Sequence, residues 1–171
     1  MLPPVLLKWE IENYIREGIA HMKTLNYDRA ELKALKHNFF MAKALYETIK
    51  DQAEEIQKKI LAENEFHDAM EVDKRILEPF ATFKMNDNDF QKFLDLCYEE
   101  YKKAGIEDKR GKEYCPEAEA HDLYLEAEKQ LVLYGIELIP NGMREKETLK
   151  EAIKNVEYKE KVLDLILRLK C

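Results

Sequence analysis

The chain has 171 residues, 46% hydrophobic and 37% charged, with a formal net charge of −7. That mix fits one folded, soluble, highly charged domain and excludes a disordered chain. Five glycines and five prolines are too few for the turns of an all-β fold, and the acidic balance disfavours general binding to phosphate backbones.

Pro3 and Pro4 suit a helix start. A helix is expected from there to about Met22, with Val5, Trp9, Ile15, Ile19 and Met22 giving an apolar face. Asp28, followed by Glu31, resembles a capping box for the next helix. From Ile19 to Glu78 there is no glycine or proline, and a heptad pattern runs through much of the span. Phe39, Tyr46, Ala53 and Ile60 share one heptad position, and Leu35, Ala42, Ile49 and Ile56 share another four residues earlier. This 4,3 spacing is the seam of a helix packed lengthwise on other helices. An unbroken helix from Arg29 to about Arg75 would span about 70 Å, against a globule diameter near ~40 Å for such a chain. The helix therefore breaks, with Ala62–Glu65 the expected place, or it protrudes towards a partner.

Pro79 ends any helix at or before Glu78, and Ile76–Met85 reads as extended. Asn86 or Asp87 then caps a helix to Ala104, with Phe90, Phe93, Leu94, Cys97 and Tyr101 facing inward and Gly105 as its stop. A charged loop covers Ile106–Tyr114. Pro116 is expected at the first position of a further helix that stops at Gly135. Ile136–Pro140 reads as an extended connector and Asn141-Gly142 as a turn. Two short helices follow, about Arg144–Asn155 and Glu157–Lys170. The expected fold is all-α: long heptad-patterned N-terminal helices packed as a hairpin or bundle (1–78), with a compact set of shorter helices (86–171), the two parts being either separate or one continuous domain.

Glu63-Asn64-Glu65-Phe66-His67-Asp68 and Glu117-Ala118-Glu119-Ala120-His121-Asp122 share the pattern Glu-x-Glu-x-His-Asp. Glutamate and histidine four apart share a helix face. Two such helices packed face to face would offer Glu63, His67, Glu117 and His121 to zinc, iron or manganese. The two His-Asp dipeptides are similar to the pair found in helical metal-dependent phosphohydrolases, which implies a divalent metal as cofactor. The competing view is that 35 acidic residues place glutamate near histidine by composition alone. The pattern also lacks the Glu-x-x-His spacing of di-iron bundles.

Lys102, Lys103, Lys109, Arg110 and Lys112 form the one basic cluster, diluted by Glu107, Asp108 and Glu113, and read as a solvated loop. Cys115 precedes a helix start, where a thiol pKa is lowered. Three cysteines without paired spacing fit a reducing cytoplasm and no disulfide. No apolar run approaches the ~18 residues of a membrane span, and no nucleic-acid partner is expected.

The function expected from these features is a non-catalytic helical module, without cofactor, that binds protein or self-associates. Its interface would be the seam Leu35, Phe39, Ala42, Tyr46, Ile49, Ala53, Ile56 and Ile60. The alternative is a metal-binding helical protein or metal-dependent hydrolase built on the two repeated hexamers.

Overall fold

A computed structural model describes residues 9, 10, 12, 13, 15–18, 20, 24–66, 86–138, 150, 151 and 153–171. Among these the regular structure is entirely helical: α1 (Arg29–Glu63), α2 (Asp87–Ala104), α3 (Ala118–Leu138) and α4 (Val156–Leu167), with further helical residues between 9 and 20 and at 150–151. None of these helices is long and apolar enough to cross a membrane. The expected features at His67–Asp68, Ile76–Met85, Ile139–Pro140 and Asn141-Gly142 lie outside the described residues.

α1 starts where its sequence provides a cap. The Asp28 carboxylate accepts hydrogen bonds from the backbone N–H of Ala30 (3.0 Å) and of Glu31 (3.1 Å), two donors that have no partner inside the helix. α1 ends within the expected break. The Asn64 side-chain amide donates to the Ile60 carbonyl at 3.0 Å, satisfying an acceptor of the last turn. The 35-residue helix is about 52 Å long, shorter than the 70 Å that an unbroken run to Arg75 would give. Leu32, Phe39, Ala53 and Ile60 are buried, and Leu35, Ala42, Tyr46, Ile49 and Ile56 are half-buried. No member of the heptad seam is exposed, whereas Phe40, Met41, Leu45 and Leu61, off the seam, are.

By contact the chain forms two units: residues up to Ala42 together with Leu123 onward, and Lys43–Asp122. Compactness by contact is a different property from the sequence pattern that separates 1–78 from 86–171.

In the first unit Leu32 and Phe39 of α1 join Leu131, Val132 and Ile136 of α3 and Val162, Leu165 and Ile166 of α4 in one apolar core. Phe39 lies 5.6 Å from the Tyr124 ring, and the Tyr134 hydroxyl donates to the Asp28 carbonyl at 3.2 Å. α3 therefore runs antiparallel to α1. α4 is capped at both ends. The Asn155 side chain accepts from the Glu157 N–H at 3.1 Å, and the Lys36 ammonium donates to the carbonyls of Leu167 (3.4 Å) and Leu169. A cation there suits the negative end of the helix dipole. The Tyr27 hydroxyl donates to the Lys170 carbonyl. Glu128, buried in α3, pairs with Lys159 of α4.

Two expectations in this unit are corrected. Gly135 does not stop α3, which continues to Leu138, so Ile136–Leu138 are helical rather than extended. A Cβ at Gly135 would sit 2.4 Å from Ile166 Cδ1 and 3.1 Å from Val162 Cγ1. The glycine serves close approach of α4, not chain reversal. Trp9, expected on the apolar face of the first helix, is 64% exposed, while Ile15 is buried.

In the second unit Ala53 and Ile60 of α1 pack with Cys97 and Tyr101 of α2, with Ile56, Phe66, Phe93, Leu96 and Ile106 around them. The Gln57 amide donates to the Tyr101 hydroxyl at 3.0 Å, so the one polar atom that Tyr101 brings inward is satisfied. α2 has the expected bounds. Asn86 caps it by accepting from the Asp89 N–H at 2.8 Å. Gly105 ends it at φ +72°, its N–H donating to Lys102, while the Ile106 N–H reaches the Tyr101 carbonyl. This is a left-handed helix stop that favours glycine. Of its expected inner face, Cys97, Tyr101 and Phe93 belong to this core and Leu94 is half-buried, while Phe90 is 51% exposed and Leu96 packs against the core as well. Pro116 is not in the first turn of α3. Cys115–Glu117 form a turn whose Cys115 carbonyl accepts from the Ala118 N–H at 3.0 Å.

Candidate functional site

Of the candidate metal ligands that the structure describes, Glu63 and His121 are not brought together. Glu63 is the last residue of α1 and is exposed. The His121 ring packs against Tyr46, centroids 5.0 Å apart. Tyr46 and Glu63 stand seventeen positions apart on α1, about 25 Å along the axis. A first-row metal needs its nitrogen and oxygen ligands within about 2.0–2.2 Å, so Glu63 and His121 do not share an ion. Glu117 is half-buried and its Oε2 has no hydrogen-bond partner. His67 lies outside the described residues. Among the described residues no group of three or more histidine, cysteine, aspartate or glutamate side chains is placed to hold a metal.

The basic cluster is largely neutralised by its neighbours. Lys102 pairs with Glu99 (3.7 Å), Lys103 with Glu100 (3.2 Å) and Lys112 with Asp95 (2.8 Å). Arg110 grips Asp108 through Nε (2.9 Å) and a terminal nitrogen (2.8 Å), and the Arg110 backbone N–H also donates to Asp108 (2.9 Å). The guanidinium lies 4.4 Å from the centre of the Tyr114 ring. Asp108 is the fixed point of this loop, at 3% exposure. Its hydrogen bonds to Arg110 hold its carboxyl below the usual carboxylate range.

A folded-state pKa held low adds stability that is present above the unfolded value, about 3.9, and is lost as the pH falls through the folded one. Arg110→Ala should reverse the sign, because the buried carboxylate then lacks its cation and favours protonation. The stability gap between Arg110→Ala and the parent should be widest near pH 7 and narrow towards about pH 4. Denaturant melts across that range check it, and a gap that widens on acidification would rule out this role for the pair.

Neither Cys97 nor Cys115 is an activated thiol. Cys97 is buried, and burial pushes its thiol up to about 11. Cys115 is raised rather than lowered, first by burial and then by the Glu117 and Asp108 carboxylates. The expected helix-terminus effect loses to burial first and then to those two acids, and Cys115 sits in the turn before α3 rather than in its first helical turn. All three cysteines are free.

The seam residues are mostly engaged inside their own chain. Phe39 meets Tyr124, Tyr46 meets His121, and Ala53, Ile56 and Ile60 belong to the second core. Two seam members, Leu35 and Ala42, do reach a surface feature of the first unit. An open groove of about 370 Å³ runs between α1 and α3, lined by Leu35, His37, Asn38, Met41, Ala42, Leu123, Glu126, Ala127 and Gln130. Its floor is the half-buried Leu35, Ala42 and Ala127. Its rims carry Met41 at 59% and Leu123 at 54% exposure. The heptad pattern could not reveal Met41 or Leu123, because neither lies on the seam; the signal is an apolar residue on the polar side of an amphipathic helix. A second groove, about 290 Å³, has Ile15 and Leu165 between Glu12, Arg16, Lys161, Asp164 and Arg168. Lys161 pairs there with Glu12, and Arg168 with Asp164.

Comparison with protein-family models, with curated proteins and with solved structures gives no match.

Proposed function

We propose that this protein is a non-catalytic helical assembly module that binds protein helices and self-associates through the long helix α1. The observation that supports this is the α1–α3 groove, where Met41 and Leu123 stand more than half exposed over an apolar floor. Exposed apolar side chains are common singly. Two of them flanking one helix-lined groove make a surface that gains by burial, at roughly 25 cal/mol per Å² of apolar area. The partner surface lies beside the seam rather than along it, since most of the seam is already packed.

Self-association follows mass action. Light scattering and sedimentation from micromolar to hundreds of micromolar should give an average mass that rises above the 20.3 kDa of one chain. A constant 20.3 kDa particle throughout would remove the self-association part of the proposal.

A further inference from the structure

A second 4,3 pattern runs along α1 beside the buried seam. Ala34, Asn38, Met41, Leu45, Thr48 and Gln52 each precede a seam residue by one position, which turns them about 100° around the helix. All six are exposed and none is charged, whereas Lys33, Glu47, Lys50, Asp51 and Glu54, exposed on the same turns, lie outside this stripe. Its two large apolar side chains, Met41 and Leu45, stand together at its middle. Polar Asn38 and Thr48 flank them. An exposed face with this period has the spacing of a further packing seam.

We infer that this stripe of α1 pairs, antiparallel, with the same stripe of a second copy, about a two-fold axis that lies across the helix at position 43. The inference rests on the self-association reading above. Such an axis exchanges the two ends of the stripe and sets each side wall against its own counterpart. Met41 then meets Leu45 of the mate, Asn38 meets Thr48 and Ala34 meets Gln52, because the members of each pair are equally distant from position 43. Apolar groups meet at the centre, and beside them an amide meets a hydroxyl, with donor and acceptor matched. On one wall the half-buried Leu35 faces Ile49 of the mate. On the other, His37, an N–H donor, faces the Asp51 carboxylate of the mate, once on each side of the axis. Ala42 and Ala44 are the residues nearest the axis on the two walls, and their small side chains let the helices approach. The contact closes at 34 and 52. Next along the stripe stand Glu31 and Glu55, which the axis opposes, and helices crossing at about 20° are separating there. Read in reverse, the inner stripe keeps its order of polar, apolar, apolar, polar. That property selects a second copy over a foreign helix, and the asparagine fixes the register.

Engineered cysteines test this pairing, with the exposed Cys115 and Cys171 replaced by serine and the buried Cys97 kept. Asn38→Cys and Thr48→Cys are ten positions apart, about 15 Å along α1. Each alone sets its thiol about 15 Å from that of its own mate, beyond the reach of a disulfide. Mixed in equal amounts under reduction and then oxidised, the two should give a covalent dimer containing one of each. Either alone should stay largely uncross-linked at the same total concentration. Leu45→Glu should weaken association at least about tenfold, a change of ~1.4 kcal/mol, and circular dichroism should show it still helical.

In a parent that dimerises, three results would each overturn this arrangement and leave the assembly reading standing. They are a mixture that fails to cross-link, a single variant that cross-links with itself as readily as the mixture does, and a Leu45→Glu chain that associates as the parent does. A parent monomeric at every concentration would overturn both this arrangement and self-association.

Discussion

Phe39→Ala should cost about 3–5 kcal/mol, the range for removing a buried phenylalanine, whereas Phe40→Ala should cost under about 1 kcal/mol. The neighbours differ in direction only. Phe39 is 2% exposed and joins the first core, while Phe40 is 52% exposed and touches Phe39 edge-on at 5.3 Å. Their contrast reads the rotation of α1 about its axis, because a helix turned by one residue would exchange their roles. In thermal melts the loss at Phe39 corresponds to a fall of roughly 10 °C for a chain of this size. Denaturant midpoints should shift with little change in slope, since the same surface is exposed on unfolding. Equal effects of the two substitutions would mean that the seam is misplaced.

Gly135→Ala should destabilise, although alanine is the better helix former by about 1 kcal/mol. The new methyl would meet Ile166 and Val162, both fully buried. Overpacking of this kind costs about 1–3 kcal/mol and outweighs the propensity gain. The cause can be separated from a general loss of helix by compensation. Ile166→Val removes the Cδ1 that lies nearest, 2.4 Å from the added Cβ. On its own it should cost about 0.5–1.5 kcal/mol. In the Gly135→Ala background it should restore part of the loss, a coupling of opposite sign to simple addition. A Gly135→Ala protein more stable than the parent would show that α4 has room to move away.

The legible parts of this fold were those set by local chemistry. Asp28, Asn86 and Gly105 announced helix ends because a cap acts within three or four residues of itself. The heptad seam was legible because period alone defines a face, and every member came out buried or half-buried. Gly135 was misread because a glycine that lets another helix approach looks, in sequence, like one that ends its own. Phe90 and Trp9 were misplaced for a related reason. An apolar residue marks a helix face only when the neighbouring helix covers that turn, and the covering partner is distant in sequence. The repeated Glu-x-Glu-x-His-Asp hexamers carried a spacing but no address. Their histidine and glutamate patterns are helical, yet the position of Tyr46 against His121 puts Glu63 far away. The groove was invisible for a further reason, since it takes faces of two helices that are more than eighty residues apart in the chain.

The ties of Tyr27 and Lys36 to the carbonyls of Leu167, Leu169 and Lys170 span separations of 131 to 143 residues. They carry a consequence for how the protein is made. Synthesis delivers the chain from its N-terminus, and a pairing cannot form before both members have left the ribosome. Every residue of the Lys43–Asp122 unit emerges before α4 does, so its contacts can form early. Leu32 and Phe39 must wait, uncovered, for α3 and α4. Contacts of such long range also close slowly once the chain is free. The apolar stretch around Leu32–Phe39 is thus a segment of the nascent chain that needs shielding until α3 and α4 emerge to cover it.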